Sequence, residues 1–268
     1  MQKVSFNDAR KLSSKEIRKK IRLELYNNHT SGLADNKLQA NIVILPSDYE
    51  NDFYNFCKLN AKACPLVGKT KLNNPYFNTL GDDIDVRSDV PLYNIYKNGD
   101  LISTVRNIKE HWNNNFVAFA IGCSFSFEDA LINAGLDIDH IKDNKVVPMY
   151  KTNIKNIKSG LFNSQMVVSM RIFNQKDINK VKQISKNFSF AHGDPIHVGD
   201  PIEIGINNIL RPDWGDSPRN KNDEEEYIFW ACGVTPQNAI IEAKIPFCIT
   251  HTPGHMLITD ISENSLHN

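Results

Sequence analysis

Residues 227–237 (YIFWACGVTPQ) limit the fold of this chain more than any other segment. The apolar run ends at Cys232 and Gly233, which is typical of a buried strand that stops at a turn. Thr235 suits the N-cap of a helix and Pro236 suits its first turn, so the segment predicts a strand, a tight turn and a helix. A helix start beyond the end of a strand can bind an anion, and it can equally be a plain structural corner.

The composition is that of a globular protein without net charge. The chain has 268 residues, of which 31 are basic, 31 acidic and 41% hydrophobic. Balanced charge gives no global field for nucleic acid or membranes. The longest apolar run, 116–121, is too short to span a bilayer, and the N-terminus lacks the apolar core of a secretory signal. Five cysteines without a CxxC pair are typical of reduced thiols, so we expect a cytoplasmic protein.

The order of predicted elements indicates an α/β protein with two lobes. Residues 116–206 predict the order β-α-β-β-α-β, with the last strand at 202–206. The two flanking segments share a strand–helix–strand character that this middle part lacks. We therefore predict one α/β lobe built from residues 1–115 and 207–268, with a smaller βαββαβ lobe of residues 116–206 inserted. No internal repeat is visible, and the junction of the lobes is the expected place for a pocket.

Three polar stretches have the composition of functional loops: 122–128 (GCSFSFE), 192–201 (HGDPIHVGDP) and 251–260 (HTPGHMLITD). A metal site is one interpretation, because they contain His192, Asp194, His197, His251 and His255. The spacing is not diagnostic, since a proline and a glycine between the last two histidines prevent them from sharing one helical face.

Cysteine chemistry and a strand arginine give further alternatives. Cys123 or Cys232 at a helix start could be a nucleophile with a lowered pKa, but each follows an apolar strand, which favours a buried and inert thiol. Arg171 ends an apolar run, so it either extends to the surface or faces a carboxylate.

The motifs resemble those of the D-glutamate cyclase family along nearly the whole chain. They comprise, in order, TSGLADNKLQANIVILP, CPLVG, GCSFSFEDAL, VPMYKTN, VVSMR, HGDPIHVGDP, PDWGD, FWACGVTPQ and HTPGHMLITD. Departures are local: residues 35–37 differ from the usual turn, Asp194 stands where alanine is common, and Ile172 replaces a proline. Because alanine is common at position 194, the resemblance weakens the metal interpretation.

The resemblance implies a fold with a three-layer αβα part and a two-layer α/β part. It also implies a hydro-lyase activity, the conversion of D-glutamate to 5-oxo-D-proline with loss of water. No cofactor and no metal follow from it. The expected partner is a small-molecule substrate, an amino acid or related carboxylate, rather than nucleic acid or membrane, and a homo-oligomer is possible.

This chemistry needs a base for the amine, an acid for the departing oxygen and donors for the oxyanion. His197 with Asp200 is the first choice for the acid–base pair, and His251 and His192 are the alternates. The predicted substrate-binding residues are Arg171, Ser124, Ser126, Thr235, Gln237, Tyr150 and Asn153. Two other classes of function stay open, a non-catalytic amino-acid-binding protein and a metal-dependent hydrolase.

Overall fold

The computed structural model describes residues 2–262 as a mixed α/β fold. The first half contains α1 (Phe6–Ala9), α2 (Ser14–Arg22), β1 (Lys37–Pro46), α3 (Glu50–Leu59), β2 (Leu66–Lys69), β3 (Tyr93–Lys97), β4 (Asp100–Val105), β5 (Phe116–Gly122), α4 (Phe125–Asn133) and α5 (Asp139–Lys142). The second half contains β6 (Met149–Lys155), β7 (Gln165–Asn174), α6 (Ile178–Lys186), β8 (His197–Val198), β9 (Glu225–Ala231), α7 (Thr235–Ala243), β10 (Cys248–His251) and β11 (Leu257–Ser262).

The strands form two antiparallel sheets. One has seven strands in the order β2-β5-β1-β10-β3-β4, and β11 also pairs with β1. The other has four strands in the order β6-β7-β9-β8. The predicted α/β class with two separate parts is confirmed.

Sheet membership interleaves the two halves of the chain. The predicted order β-α-β-β-α-β is present as β5-α4-β6-β7-α6-β8, with α5 between α4 and β6. However, β5 pairs along its whole length with β1, and β9 pairs with β7. The predicted boundaries at residues 116 and 206 therefore do not coincide with the division between the two sheets, because strands that are distant in sequence pair with each other. The division of the chain into folding units stays a prediction.

The two sheets contain two similar copies of one unit, which the sequence did not reveal. The first copy (residues 37–155) supplies β1, α3, β2, β5, α4 and β6, and the second copy (residues 165–262) supplies β7, α6, β8, β9, α7 and β11. The strand registers coincide. Val43 pairs with Phe119 in one sheet, and in the other sheet the residue equivalent to Val43, Arg171, pairs with the residue equivalent to Phe119, Ile228. The prediction of no internal repeat is wrong at the level of structure.

Each copy completes the sheet of the other. The last strand of the first copy, β6, pairs with β7, and the last strand of the second copy, β11, pairs with β1. Equivalent hydroxyls fix both crossings: Thr152 Oγ1 donates to the Met166 carbonyl and Thr259 Oγ1 to the Leu38 carbonyl, each at 2.8 Å. The helices exchange as well, because α4 packs on the four-stranded sheet and α7 on the seven-stranded one.

Two strand-to-helix corners meet where the copies exchange. They are CSFSFEDAL, beginning at Cys123, and CGVTPQNAI, beginning at Cys232, and both cysteines lie in one apolar cluster with Met149 and Met256. Ser126 Oγ accepts from the Gln39 amide at 3.4 Å, and Thr235 Oγ1 accepts from the Val167 amide at 3.0 Å. Each hydroxyl joins its helix start to the first strand of its own copy by the same bond, so it holds the corner in place.

Two local features match their sequence patterns, and two predictions are wrong. Ser13 and Glu16 form a capping box, and Asn98 and Gly99 form the turn between β3 and β4. Thr235 is the first residue of α7 and not its N-cap, because its hydroxyl bonds to Val167 instead of to its own helix. The strand predicted at 202–206 is a 3₁₀ turn, Pro201–Ile204, which the Asp200 side chain caps.

Candidate active site

Arg171 lies in the middle of a buried strand and is 3% exposed. Because side chains alternate along β7, Ser169, Arg171 and Phe173 share the face that packs against α4. The guanidinium donates to Ser169 Oγ at 2.9 Å through Nη1 and to Ser124 Oγ at 3.0 Å through Nη2. Of the two predicted alternatives for Arg171, the structure shows the second, a side chain that faces a carboxylate.

That carboxylate is Glu128, which is 1% exposed on α4. Its Oε1 accepts from Arg171 Nε at 2.9 Å, and its Oε2 accepts from Ser31 Oγ at 3.3 Å. Burial would raise the pKa of the Glu128 carboxyl, but the charges of Arg171 and His140 outweigh burial and lower this pKa to about 2. Glu128 is therefore a carboxylate at neutral pH, and it compensates a buried cation that would otherwise be strongly destabilising.

His140 joins the pair from α5. Its Nε2 lies 3.1 Å from Glu128 Oε1, and the residue is 6% exposed, with its ring beside that of Phe125. Arg171, Glu128 and His140 thus form a buried charged cluster, in which the imidazole lies beside the ion pair.

A narrow cleft opens onto this cluster. Arg171 and His140 line it, and its rim carries three acidic side chains and two further basic ones: Asp139, Asp143, Asp216, Lys145 and Arg219. The space open to water is about 40 Å³, enough for about two or three water molecules. The rim therefore carries charges of both signs.

The equivalent position, between α7 of the second copy and β1 of the first, is neutral. Gln237 of α7 takes the place of Glu128, and Val43 of β1 takes the place of Arg171. Gly233 replaces Ser124 because Asn41, the counterpart of Ser169, occupies the space: a Cβ on Gly233 would lie 1.9 Å from Asn41 Nδ2. Only the first copy's helix therefore carries the charged cluster.

His251 and Gln237, both predicted site residues, contact each other at this neutral position. Gln237 Nε2 lies 2.8 Å from His251 Nδ1, which also accepts from the Ile42 amide at 3.1 Å. Burial lowers the pKa of His251 to about 3, so its ring is neutral at physiological pH. Thr235 is fully buried and bonded to Val167. The structure places these three residues in the packing around α7 and outside the lining of the cleft.

His192 lies nearer to the charged cluster. It is 1% exposed, has the left-handed φ of 79°, and its Nδ1 lies 2.9 Å from the Lys62 carbonyl, to which it donates. Burial, together with the charge of Arg171, lowers the pKa of His192 to about 4. A neutral imidazole beside Arg171 adds no repulsion to the buried cation.

The predicted pair of His197 and Asp200 lies on the opposite face of the four-stranded sheet. His197 pairs with Phe229, whose side chain belongs to the outer cluster with Tyr150 and Met170. Its Nε2 contacts the backbone carbonyl of Asp200 at 2.8 Å, whereas the Asp200 carboxylate accepts from the Ile202 amide. The structure therefore does not bring this pair to Arg171, because a period of two along the strands separates the two faces.

Tyr150 and Asn153 also lie away from the cluster. Tyr150 Oη donates to the Ile209 carbonyl at 2.6 Å on the outer face, and Asn153 is exposed on β6. Of the predicted substrate-binding residues, Arg171 and Ser124 contact each other in the charged cluster, while Ser126 bonds to Gln39.

Sequence reasoning missed Glu128 and His140. A signal for Glu128 existed, since it stands three residues before Leu131 on the face of α4 that packs into the core. A buried arginine in a strand needs such a carboxylate. No sequence signal marked His140, which belongs to a four-residue helix.

The cysteines and the metal interpretation can be tested against the structure as well. Burial raises the pKa of both corner thiols, that of Cys232 to about 11, so neither is activated as a nucleophile. Within residues 2–262, no group of three or more His, Cys, Asp or Glu side chains is arranged to hold a metal ion. In the same part of the chain, no helix is long and apolar enough to cross a membrane.

Comparisons with known proteins agree on one family. A family model described as D-glutamate cyclase matches residues 117–260. A protein named "Putative hydro-lyase" from Dinoroseobacter shibae is 48% identical over 93% of this chain and 83% of its own length. Relatives named in the same way from Jannaschia sp. and Pelagibacter ubique are 47% and 48% identical, over 93% and 94% of this chain and 93% and 96% of their own lengths.

The matched solved structures include a nitrogen repressor-like protein from Methanococcus jannaschii. It is 10% identical, covers 91% of this chain and 97% of its own, and has a TM-score of 0.39. Similarity at this level carries no argument about fold or function.

Proposed function

Because the chain belongs to the D-glutamate cyclase family, whose curated relatives are named hydro-lyases, we propose that it converts D-glutamate to 5-oxo-D-proline and water. The observation that supports this proposal is the buried cluster of Arg171, Glu128 and His140 at the floor of a cleft lined by mixed charges. The substrate is a small molecule with both an ammonium group and two carboxylates, which suits such a lining.

The reaction is neutral in protons overall. The amine nitrogen forms a bond to the γ-carboxyl carbon, and one C–O bond of that carboxyl breaks. Two of the three ammonium protons leave with the departing oxygen as water, and the third remains on the ring nitrogen. One group that accepts a proton from nitrogen and returns it to oxygen, twice, is therefore sufficient.

His140 is assigned this shuttle, because it lines the cleft and its Nε2 lies 3.1 Å from Glu128 Oε1. Arg171 supplies a fixed cation for the γ-carboxyl and for the oxyanion that forms after attack, with Ser124 bonded beside it. Ring closure is intramolecular, so a cleft that holds the substrate curled provides further rate through orientation. His197 and Asp200, the first choice from the sequence, have no part in this assignment.

The test is to incubate the purified protein with each glutamate enantiomer and to separate the products by chiral chromatography. We expect 5-oxo-D-proline from D-glutamate, a loss of at least 100-fold in kcat for His140→Asn, and no change for His111→Asn, an exposed histidine on a surface turn. Absence of product from both enantiomers would refute the cyclase. If D-glutamate then raised the melting temperature without being consumed, the protein would be a binding protein on the same scaffold.

A further inference from the structure

The rim of the cleft holds a second arginine, Arg219, which is well bonded to one carboxylate and poorly bonded to another. We infer that Arg219 binds the α-carboxylate of the substrate, and that Asp139 occupies this place in the free protein. The inference rests on the proposed function for the identity of the substrate. It concerns a different part of the cleft, since the proposed reaction uses Arg171 and His140 at the floor.

Glu225 holds Arg219 firmly from one side. The two carboxylate oxygens of Glu225, the first residue of β9, accept from Nη1 at 2.6 Å and from Nη2 at 2.8 Å. Nη1 also donates to the Asn220 carbonyl at 3.1 Å. Such a bidentate pair fixes the plane and the position of the guanidinium. Glu225 therefore anchors Arg219 through Nη1 and Nη2, and the Nε edge of the guanidinium is directed away from Glu225.

Asp139 lies at that Nε edge in a poorer arrangement. Its Oδ2 is 2.9 Å from Arg219 Nε, yet this buried oxygen has no aligned hydrogen bond among the described residues. A guanidinium has five N–H donors, and Glu225 and Asn220 use three of them. A carboxylate that approached the Nε edge in the plane of the guanidinium would form the bonds that Asp139 does not.

The other carboxylates at the rim have aligned partners. Lys145 is paired with Asp143 at 3.0 Å, and Asp216 accepts from the Val146 amide at 2.7 Å. Asp139 is the rim carboxylate without an aligned bond, and its exchange for a substrate carboxylate leaves the charge around Arg219 unchanged.

Arg171 at the floor and Arg219 at the rim then bind the two ends of one dicarboxylate. This arrangement would distinguish glutamate from amino acids with a single carboxylate. It also makes an opposite prediction for the two members of the Arg219–Asp139 pair. Loss of the arginine weakens binding, whereas loss of the aspartate's charge removes a competitor and strengthens it.

The test is calorimetric binding of glutarate and of butyrate, which probe dicarboxylate recognition without turnover. We expect Arg219→Gln to weaken glutarate binding at least 10-fold with less than a twofold change for butyrate. Asp139→Asn should strengthen glutarate binding several-fold and lower the KM for D-glutamate. Arg106→Gln is the matched control, since Arg106 forms a similarly exposed ion pair with Glu24 outside the cleft, and it should change neither.

Equal weakening by Arg219→Gln and Asp139→Asn would overturn the inference, because it would show that the pair only braces the rim. An unchanged glutarate-to-butyrate ratio in Arg219→Gln would overturn it as well. Failure of the proposed function has a different signature: the expected glutarate results would stand while no 5-oxoproline formed from D-glutamate.

Discussion

The buried ion pair of Arg171 and Glu128 allows a stability prediction that can be compared with the equivalent neutral pair in the same molecule, Gln237 and Val43. Glu128→Gln leaves the Arg171 guanidinium, which is 2% exposed, without its carboxylate. Arg171→Val leaves the Glu128 carboxylate, which is 1% exposed, without its guanidinium. Removal of one partner of a buried ion pair typically costs about 3–5 kcal/mol of unfolding free energy. We expect each single variant to lose about that amount.

The double variant Glu128→Gln/Arg171→Val should be no less stable than either single variant. It reproduces the glutamine and valine that already stand at the equivalent junction of α7 and β1, Gln237 and Val43, where the same local fold is stable without charge. Some loss remains, because the smaller side chain leaves a void and removes the contact of the guanidinium with the Phe127 and Trp230 rings. A coupling energy of about 3–5 kcal/mol follows for the pair.

Urea unfolding at pH 7, followed by fluorescence and circular dichroism together, measures the four stabilities. Gln237→Glu is the matched control: it places a carboxylate beside Val43 with no guanidinium, so it should destabilise the protein. The double variant should fold but form no 5-oxoproline. If the two single losses simply added in the double variant, the ion pair would not be the interaction that holds these side chains, and the reasoning would fail.

Three further predictions follow from the same structure. The pKa of His192 is about 4 and that of His251 about 3, both below the unfolded value near 6.5, so the unfolded state binds more protons between these limits. The contribution of the two neutral imidazoles to the free energy of unfolding is fully present above about pH 6.5 and falls as the pH decreases. At pH 5 the free energy of unfolding is lower by about 2 kcal/mol for each histidine. His251→Gln should flatten this decline in stability, measured by urea titration. Thr235→Ala, which removes the hydroxyl bonded to the Val167 amide, should lower stability by about 1–2 kcal/mol with KM unchanged; a raised KM would return Thr235 to the substrate site. Cys123 and Cys232 should not react with a thiol reagent in the native protein at pH 8, because burial raises the pKa of each, and rapid labelling would contradict their placement in the core.

The sequence predicted the corners well, because their signals are local. A buried apolar run, a small residue and a proline define a strand that turns into a helix, and this holds at β9 and α7. The capping box at Ser13 and the turn at Asn98 are local in the same sense. Each depends on residues within a few positions, so one sequence is sufficient to predict it.

The partners of the strands could not be predicted in this way. Nothing near residue 116 indicates that β5 pairs with β1, which lies far earlier in the chain, because several of the predicted strands are equally apolar. The repeat was hidden for a similar reason. CSFSFEDAL and CGVTPQNAI share two residues, and the shared hydroxyl, carbonyl and register contacts become visible only in three dimensions.

The candidate site was predicted in part. Arg171 and Ser124 were chosen from the sequence and do lie together. His197 was chosen because its loop is rich in titratable groups, but the face of a strand on which a side chain lies depends on the register of pairing. His140 becomes a candidate only once the structure places α5 beside Glu128.

The exchange of β6 and β11 between the two copies has a consequence for how such a chain can change over time. Separation of the two copies would expose unpaired strand edges in both sheets. The two copies therefore stay together even when their sequences differ. One of the two helix–strand junctions is then free to lose its charges while it continues to hold the other in shape. Gln237 of the second copy and Val43 of the first form the neutral junction, whereas Glu128 of the first copy and Arg171 of the second form the charged one.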